Sequence, residues 1–154
     1  FVQEVWTNGN LDAVDDLFTP DSVLHDPDGD IEGPAALREY NRAYLEAFPD
    51  LEYDIEDMLA AGDRVAFRAR LRGTHRGEFR GVPATGESFD ATGIVIARLE
   101  NGRIAERWAS FDALGMLQQL GLLSNVPGDA RMFGRLTEYI RFCRVNLDID
   151  KLIQ

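Results

Sequence analysis

Cysteine occurs once in this sequence, at Cys143, which excludes an internal disulfide framework and any cysteine-based zinc site. Lysine also occurs once, at Lys151, against 15 arginines. Apolar runs extend over a few residues, where a membrane-crossing helix needs about 20. No positive-then-apolar leader follows the opening Phe1, so a cytoplasmic location is expected. Repeats and low-complexity tracts are missing. So are a nucleophile elbow, a phosphate loop, a dinucleotide fingerprint and an H-E-x-x-H pair.

Cationic charge is scarce overall: 16 Lys+Arg stand against 27 Asp+Glu, a formal net charge of −11. Nucleic acid and anionic membrane surfaces are therefore not expected as partners, because phosphate contacts need clustered cations. The imbalance is uneven. Residues 1–63 hold 17 acids and two bases, Arg38 and Arg42, whereas residues 64–154 hold 10 acids and 14 bases. An acidic, lysine-poor surface fits a high-salt cytoplasm, where self-repulsion is screened, although a GC-rich genome produces the same arginine bias.

What is present builds a core. At 154 residues, 45 % apolar and 10 % aromatic, the chain suits one main domain. Val2, Val5 and Trp6 share a helical face. Asn10 is placed to cap a second helix along Leu11, Val14, Leu17 and Phe18, stopped at Thr19-Pro20-Asp21. His25 to Asp30 is turn-rich, between short extended pieces. Gly33-Pro34 starts a helix whose face is Leu37, Tyr40, Tyr44, Leu45 and Phe48, ended by Pro49. Its tyrosines read either as core or as a cavity wall.

After Pro49 the period becomes two. Leu51, Tyr53 and Ile55 alternate with acids; Val65, Phe67, Ala69 and Leu71 alternate with arginines. A three-residue Ala61-Gly62-Asp63 turn sets Glu52, Asp54 and Glu56 opposite Arg72, Arg70 and Arg68, an ion ladder that explains the basic stretch without a ligand. Asn101-Gly102 marks a second hairpin pairing Glu100 with Arg103. In that register Ala91, Gly93, Val95 and Ala97 share a face with Glu106, Trp108, Ser110 and Asp112. The other face carries Thr92, Ile94, Ile96 and Arg98 with Ala105, Arg107, Ala109 and Phe111. Both are half apolar, so alternation leaves open which lines the interior. A short helix with Leu114, Leu117 and Leu120 closes at Gly121. Residues 122–154 read as a linker and an amphipathic helical tail whose stripe, with Met132, Leu136 and Cys143, packs on the domain or a second subunit.

Helices followed by a curved antiparallel sheet make an α+β pattern enclosing an apolar, small-molecule cavity. Candidate chemistry lies with polar groups pointing inward. Asp112 either caps the helix after it or acts as a proton-transfer group, its pKa raised by an apolar wall. His75 keeps the inward parity of its strand, and His25 sits in the loop before the second long helix. A metal held by His25-Asp26 and His75 is a weak alternative, and no metal is expected. A two-carboxylate site needs a second inward acid, for which Glu106 and Asp26 are the candidates.

The run Gly73-Thr74-His75-Arg76-Gly77-Glu78-Phe79-Arg80-Gly81-Val82-Pro83-Ala84-Thr85-Gly86 resembles the G-T-H-x-G-x-F-x-G-x-P-x-T-G signature of SnoaL-like polyketide cyclases. Trp6, Gly9-Asn10, His25-Asp26-Pro27, Asn101 to Glu106, Trp108, Asp112 and Gln118 to Gly121 extend the likeness over residues 1–121. The resemblance implies the cone-shaped α+β fold of the nuclear transport factor 2 superfamily, also called a cystatin-like barrel, usually as a homodimer or higher oligomer. It implies cofactor-free intramolecular aldol cyclisation of a polyketide ester, with Asp112 as acid/base. The candidate catalytic set is then Asp112, His75 and His25. The candidate pocket for a small apolar ligand is Trp108, Tyr40, Tyr44, Phe48, Phe67, Phe79, Gly93 and Met116. A binding or dimerisation module on the same fold is the alternative.

Overall fold

Two hairpins organise the sheet, and each contains one residue more than its simplest register allows. The computed structural model describes residues 1–26 and 29–122. Its elements are a π-helix Val2–Thr7, α1 Ala13–Leu17, β1 Phe18–Asp26, β2 Gly29–Glu32, α2 Gly33–Ala47, β3 Glu52–Ala61, β4 Arg64–Thr74, β5 Ser88–Glu100, β6 Arg103–Phe111 and α3 Ala113–Gln119. The expected tail helix with Cys143 lies outside the described residues. No helix among those described is long and apolar enough to cross a membrane.

The six strands form one sheet in the order β2-β1-β6-β5-β4-β3. It is antiparallel except where β1 runs parallel to β6, so the sheet is mixed where an antiparallel one was expected. The expected second helix also ends earlier. α1 stops at Leu17, and Phe18 opens β1. Asp12, not Asn10, occupies its N-cap position, without a side-chain cap bond. Pro20 is tolerated inside β1 because β1–β6 pairing is interrupted between Phe18 and Val23, so no ladder bond needs its missing N–H.

In the β3–β4 hairpin the turn is Gly62-Asp63, with Ala61 paired to Arg64, one residue tighter than expected. The difference is absorbed by a bulge at Glu56: Ile55 pairs with Ala69, and Asp57, not Glu56, pairs with Arg68. The ladder still forms, with Arg72 3.0 Å from Glu52 and Arg68 3.3 Å from Glu56. Arg70 joins Asp90 on β5 at 2.8 Å. Solvent screens such exposed pairs, so each contributes little to stability.

The β5–β6 hairpin turns as expected, with Asn101 at φ 51° and Gly102 at 80°. Glu100 pairs with Arg103 and Leu99 with Ile104, but Arg98 pairs with Glu106, leaving Ala105 as an extra residue. One inserted residue exchanges the faces of everything beyond it. Arg107, Ala109 and Phe111 therefore join Ala91, Gly93, Val95 and Ala97 inside. Glu106, Trp108 and Ser110 lie outside with Ile94 and Ile96, which are 60 % and 38 % exposed. The expected grouping of Trp108 with Gly93 is overturned by this bulge.

α2 begins at Gly33, whose φ of 76° suits glycine, with Pro34 in its first turn. It ends as expected, the Phe48 N–H donating to the Tyr44 carbonyl at 2.9 Å. α2 and the π-helix cover the inner face, and Trp6, Phe18, Leu24, Leu37, Phe48 and Leu71 form the centre of the buried core. The Gly73–Gly86 signature is largely architecture. Arg76 and Gly77 N–H groups donate to the Ala47 carbonyl at 2.9 and 3.0 Å, and a Cβ at Gly77 would overlap the Glu46 carbonyl.

Candidate active-site cavity

α2 presents Tyr40 and Tyr44 one turn apart, their ring centroids separated by 5.1 Å. Trp6 meets Tyr44 edge-on at 5.8 Å, and its ring is tilted by 33° to that of Tyr53 at 5.7 Å. With Phe79, Phe89 and Phe111 these rings wall a cavity of about 70 Å³, with the exposed Asp112 and the half-buried Met116 and Leu117 at its mouth. That is room for one ring-sized group or a few waters. A larger ligand extends through the mouth.

Four polar arrangements face this space, one of them the exposed Arg80, which donates to the Tyr44 hydroxyl at 3.3 Å. Asp112, after the last residue of β6, is an exposed residue whose Oδ1 accepts the Gly115 N–H at 2.8 Å. Its second oxygen lies against Gly115 and has no hydrogen-bond partner among the described residues, and the residue lines the cavity. Gly115 permits this geometry, since a Cβ there would overlap the carboxylate. The desolvating wall expected around Asp112 is replaced by a solvated mouth and a helix cap. Its N–H donates to the Thr92 carbonyl at 3.1 Å, one residue from the expected neighbour Ala91.

Asp26, at the end of β1, accepts the Tyr40 hydroxyl at 2.7 Å. Burial holds the Tyr40 phenol well above its ordinary pKa, reinforced by Tyr44 and Asp26, so it remains a donor at neutral pH. Arg107 is 3 % exposed and donates to the Tyr53 hydroxyl at 3.2 Å. Burial raises the Tyr53 pKa and the guanidinium opposes that rise.

The other sequence candidates are distributed elsewhere. Tyr40, Tyr44, Phe79, Met116 and Asp112 line the cavity, whereas Phe48 is fully buried behind it. Gly93 lies beneath the Phe111 ring, which a Cβ would overlap. Phe67 lines a second, more open hollow of about 270 Å³ with Phe1, Met58 and Ile104. His75 is buried against Phe48 with ring centroids 5.4 Å apart, its Nδ1 accepting the Thr85 N–H at 3.3 Å. Burial lowers its pKa, which keeps the ring neutral, and it does not line the cavity.

His25 lies on the outer face. Its Nδ1 is 2.8 Å from Asp30 and its Nε2 3.1 Å from Glu106, with the Trp108 ring stacked at 5.5 Å. The hydrogen bonds to Asp30, then Glu106, raise its pKa. His25 and His75 thus lie on opposite sides of the sheet and share no site. Glu106 is excluded as the second inward acid. Asp26 takes that place, and β1 parity carried the signal, since Ser22, Leu24 and Asp26 alternate toward the interior. Arg107 and Phe111 were hidden by the bulge at Ala105.

This mixed sheet over helices, with a carboxylate at the mouth of an aromatic cavity, defines a small-molecule site on an α+β cone. The chain belongs to the SnoaL-like polyketide cyclase family, whose profile matches residues 1–120. It is 29 % identical over 127 residues to aklanonic acid methyl ester cyclase DnrD of Streptomyces peucetius, covering 77 % of this chain and 84 % of that one. Among solved structures it resembles IdmH, a candidate polyketide cyclase of Streptomyces antibioticus, at 34 % identity and TM-score 0.67, covering 78 % and 93 % of the two chains. It also resembles AclR of Streptomyces galilaeus, a candidate hydroxylase, at 30 % identity and TM-score 0.69, covering 78 % and 90 %. The fold thus accompanies more than one named chemistry.

Proposed function

We propose that this protein is an acid/base enzyme that closes a ring in a polyketide-type carbonyl compound by intramolecular aldol condensation. The observation that carries the reading is the Asp112 carboxylate, fixed through one oxygen by Gly115 and open through the other at the mouth of the aromatic cavity. In the first step this carboxylate takes a proton from a carbon activated by adjacent carbonyls. The enolate carbon then bonds to a second carbonyl of the same molecule, and the Asp112 carboxylic acid returns its proton to the resulting alkoxide. Tyr40, whose one hydroxyl proton is held by Asp26, lines the wall beside the substrate. No cofactor is called for, because the substrate's own acidity supplies the activation. One positioned acid/base group contributes about 10²–10⁴-fold.

The test uses aklanonic acid methyl ester, the compound in the relative's name, with cyclised product followed by chromatography. Asp112→Asn keeps a good N-cap residue, so it separates capping from proton transfer. Turnover is expected to fall by about 10²-fold or more, with ligand affinity and thermal midpoint nearly unchanged. Unchanged turnover in this variant overturns the assignment.

A second reading, a non-catalytic binding module, draws on the capping of α3 by Asp112 and on the small cavity. It predicts ligand binding without turnover in the wild type. We also read the outer face, with Ile94 and Ile96 exposed, as the surface for self-association into a homodimer. Sedimentation velocity should give a dimer that Ile94→Lys shifts toward monomer; a wild-type monomer at all concentrations contradicts this.

A further inference from the structure

Arg107 has charge that nothing around it answers. It is 3 % exposed, yet among the described residues it donates one hydrogen bond, to Tyr53, and has no carboxylate within ion-pair distance. Its Nε is buried without a partner. An arginine carries five N–H donors, and a buried cation is costly unless paired. The Phe1 ring, 5.1 Å from Cζ, offsets part of that cost but accepts no in-plane hydrogen bond. Neither carboxylate of the cavity, Asp26 or Asp112, pairs with it, although all three residues line the same space. Arg107 also borders the second hollow, so it stands in the partition between the two.

A charge left incomplete in an apolar wall, with free donors in a planar fork, matches a planar delocalised oxyanion. We infer that Arg107, positioned by Tyr53, is an oxyanion subsite, and that the ligand is a ring-sized apolar compound bearing a carboxylate or an enolised β-dicarbonyl. The surrounding rings supply the apolar part of the match, and the guanidinium supplies selectivity for the ionised form over its neutral analogue. For the aldol chemistry it supplies a fixed cation in the same cavity as Asp112, to answer the negative charge that develops when Asp112 takes a proton. The inference takes from the proposed function the use of this cavity for ligand, and it does not depend on turnover.

The test is a binding comparison by NMR titration at neutral pH with two matched pairs. Benzoate is set against acetophenone to probe the carboxylate source. The enolate of 1,3-cyclohexanedione is set against cyclohexanone to probe the enolate source. Wild-type protein is expected to bind at least one ionised member about tenfold or more tightly than its neutral partner, as a charge-assisted hydrogen bond gives. The preferred pair identifies the source. Binding should also shift the Arg107 Nε–H resonance. Arg107→Met should abolish the preference while leaving affinity for the neutral members within about twofold, and Arg107→Lys should retain part of it. Asp112→Asn should keep the preference whether or not it loses turnover, which separates the two proposals. Equal wild-type affinity for ionised and neutral members overturns the inference without any variant. So does a preference that survives Arg107→Met, or an Nε–H resonance that benzoate and the enolate leave unmoved.

Discussion

At the scale of single residues, the site depends on two glycines as much as on its carboxylates. Gly115 lets the Asp112 carboxylate fold over the start of α3, in the space a Cβ would take. Alanine is the better helix former by up to about 1 kcal/mol, so Gly115→Ala should not weaken α3 through propensity. It should instead displace the carboxylate, lowering turnover about tenfold or more while the thermal midpoint changes little. Steady-state kinetics beside a melting curve checks this, and full activity would show that the observed carboxylate position is dispensable. Gly93 has a purely structural counterpart, accommodating the Phe111 ring. Gly93→Ala should destabilise by about 1–3 kcal/mol in a urea titration, as overpacking does. A change within error would mean the Phe111 ring moves away freely.

At the scale of elements, hairpin turns were legible and strand faces were not. Asn101-Gly102 specified its turn because few other dipeptides adopt positive φ at both positions. The bulges at Glu56 and Ala105 left no comparable mark, since both faces of β6 mix alanine, aromatic and charged residues. The β6 error moved Trp108 outside and Arg107 inside. It also moved Glu106 to the clamp on His25 that joins β2, β1 and β6.

The two histidines should couple these elements to pH in opposite senses. His25 has its folded pKa raised above the ordinary 6.5, so its clamp stabilises fully below that value and is lost as pH rises through the folded one. His75 has its folded pKa lowered from 6.5, so its contribution is full above that value and lost as pH falls toward the folded one. The stability difference between wild type and His25→Gln should therefore shrink on going from about pH 5.5 to about pH 8, followed by thermal melting. A difference constant across that range would show that the clamp does not depend on the imidazolium.

At the scale of the whole molecule, the fold was legible because the order of helices, hairpins and signature loop survives local register errors. The residues 73–86 signature serves loop geometry, with His75 buried and Gly77 seated on the end of α2. Bulk charge proved a poor guide to the site. Arg68, Arg70 and Arg72 of β4 answer acids on β3 and β5, while one buried arginine, Arg107, lines the cavity. The proposed function rests on a few polar groups in an aromatic enclosure, with Asp112 at its mouth.

The most direct test of that claim measures proton abstraction alone. In D₂O, the rate at which a β-keto ester exchanges its activated C–H for deuterium is followed by NMR with wild type and Asp112→Asn at equal concentration. The account predicts exchange well above the buffer rate with wild type and a fall to the buffer rate with Asp112→Asn. Equal acceleration by both proteins, or none by the wild type, would contradict it.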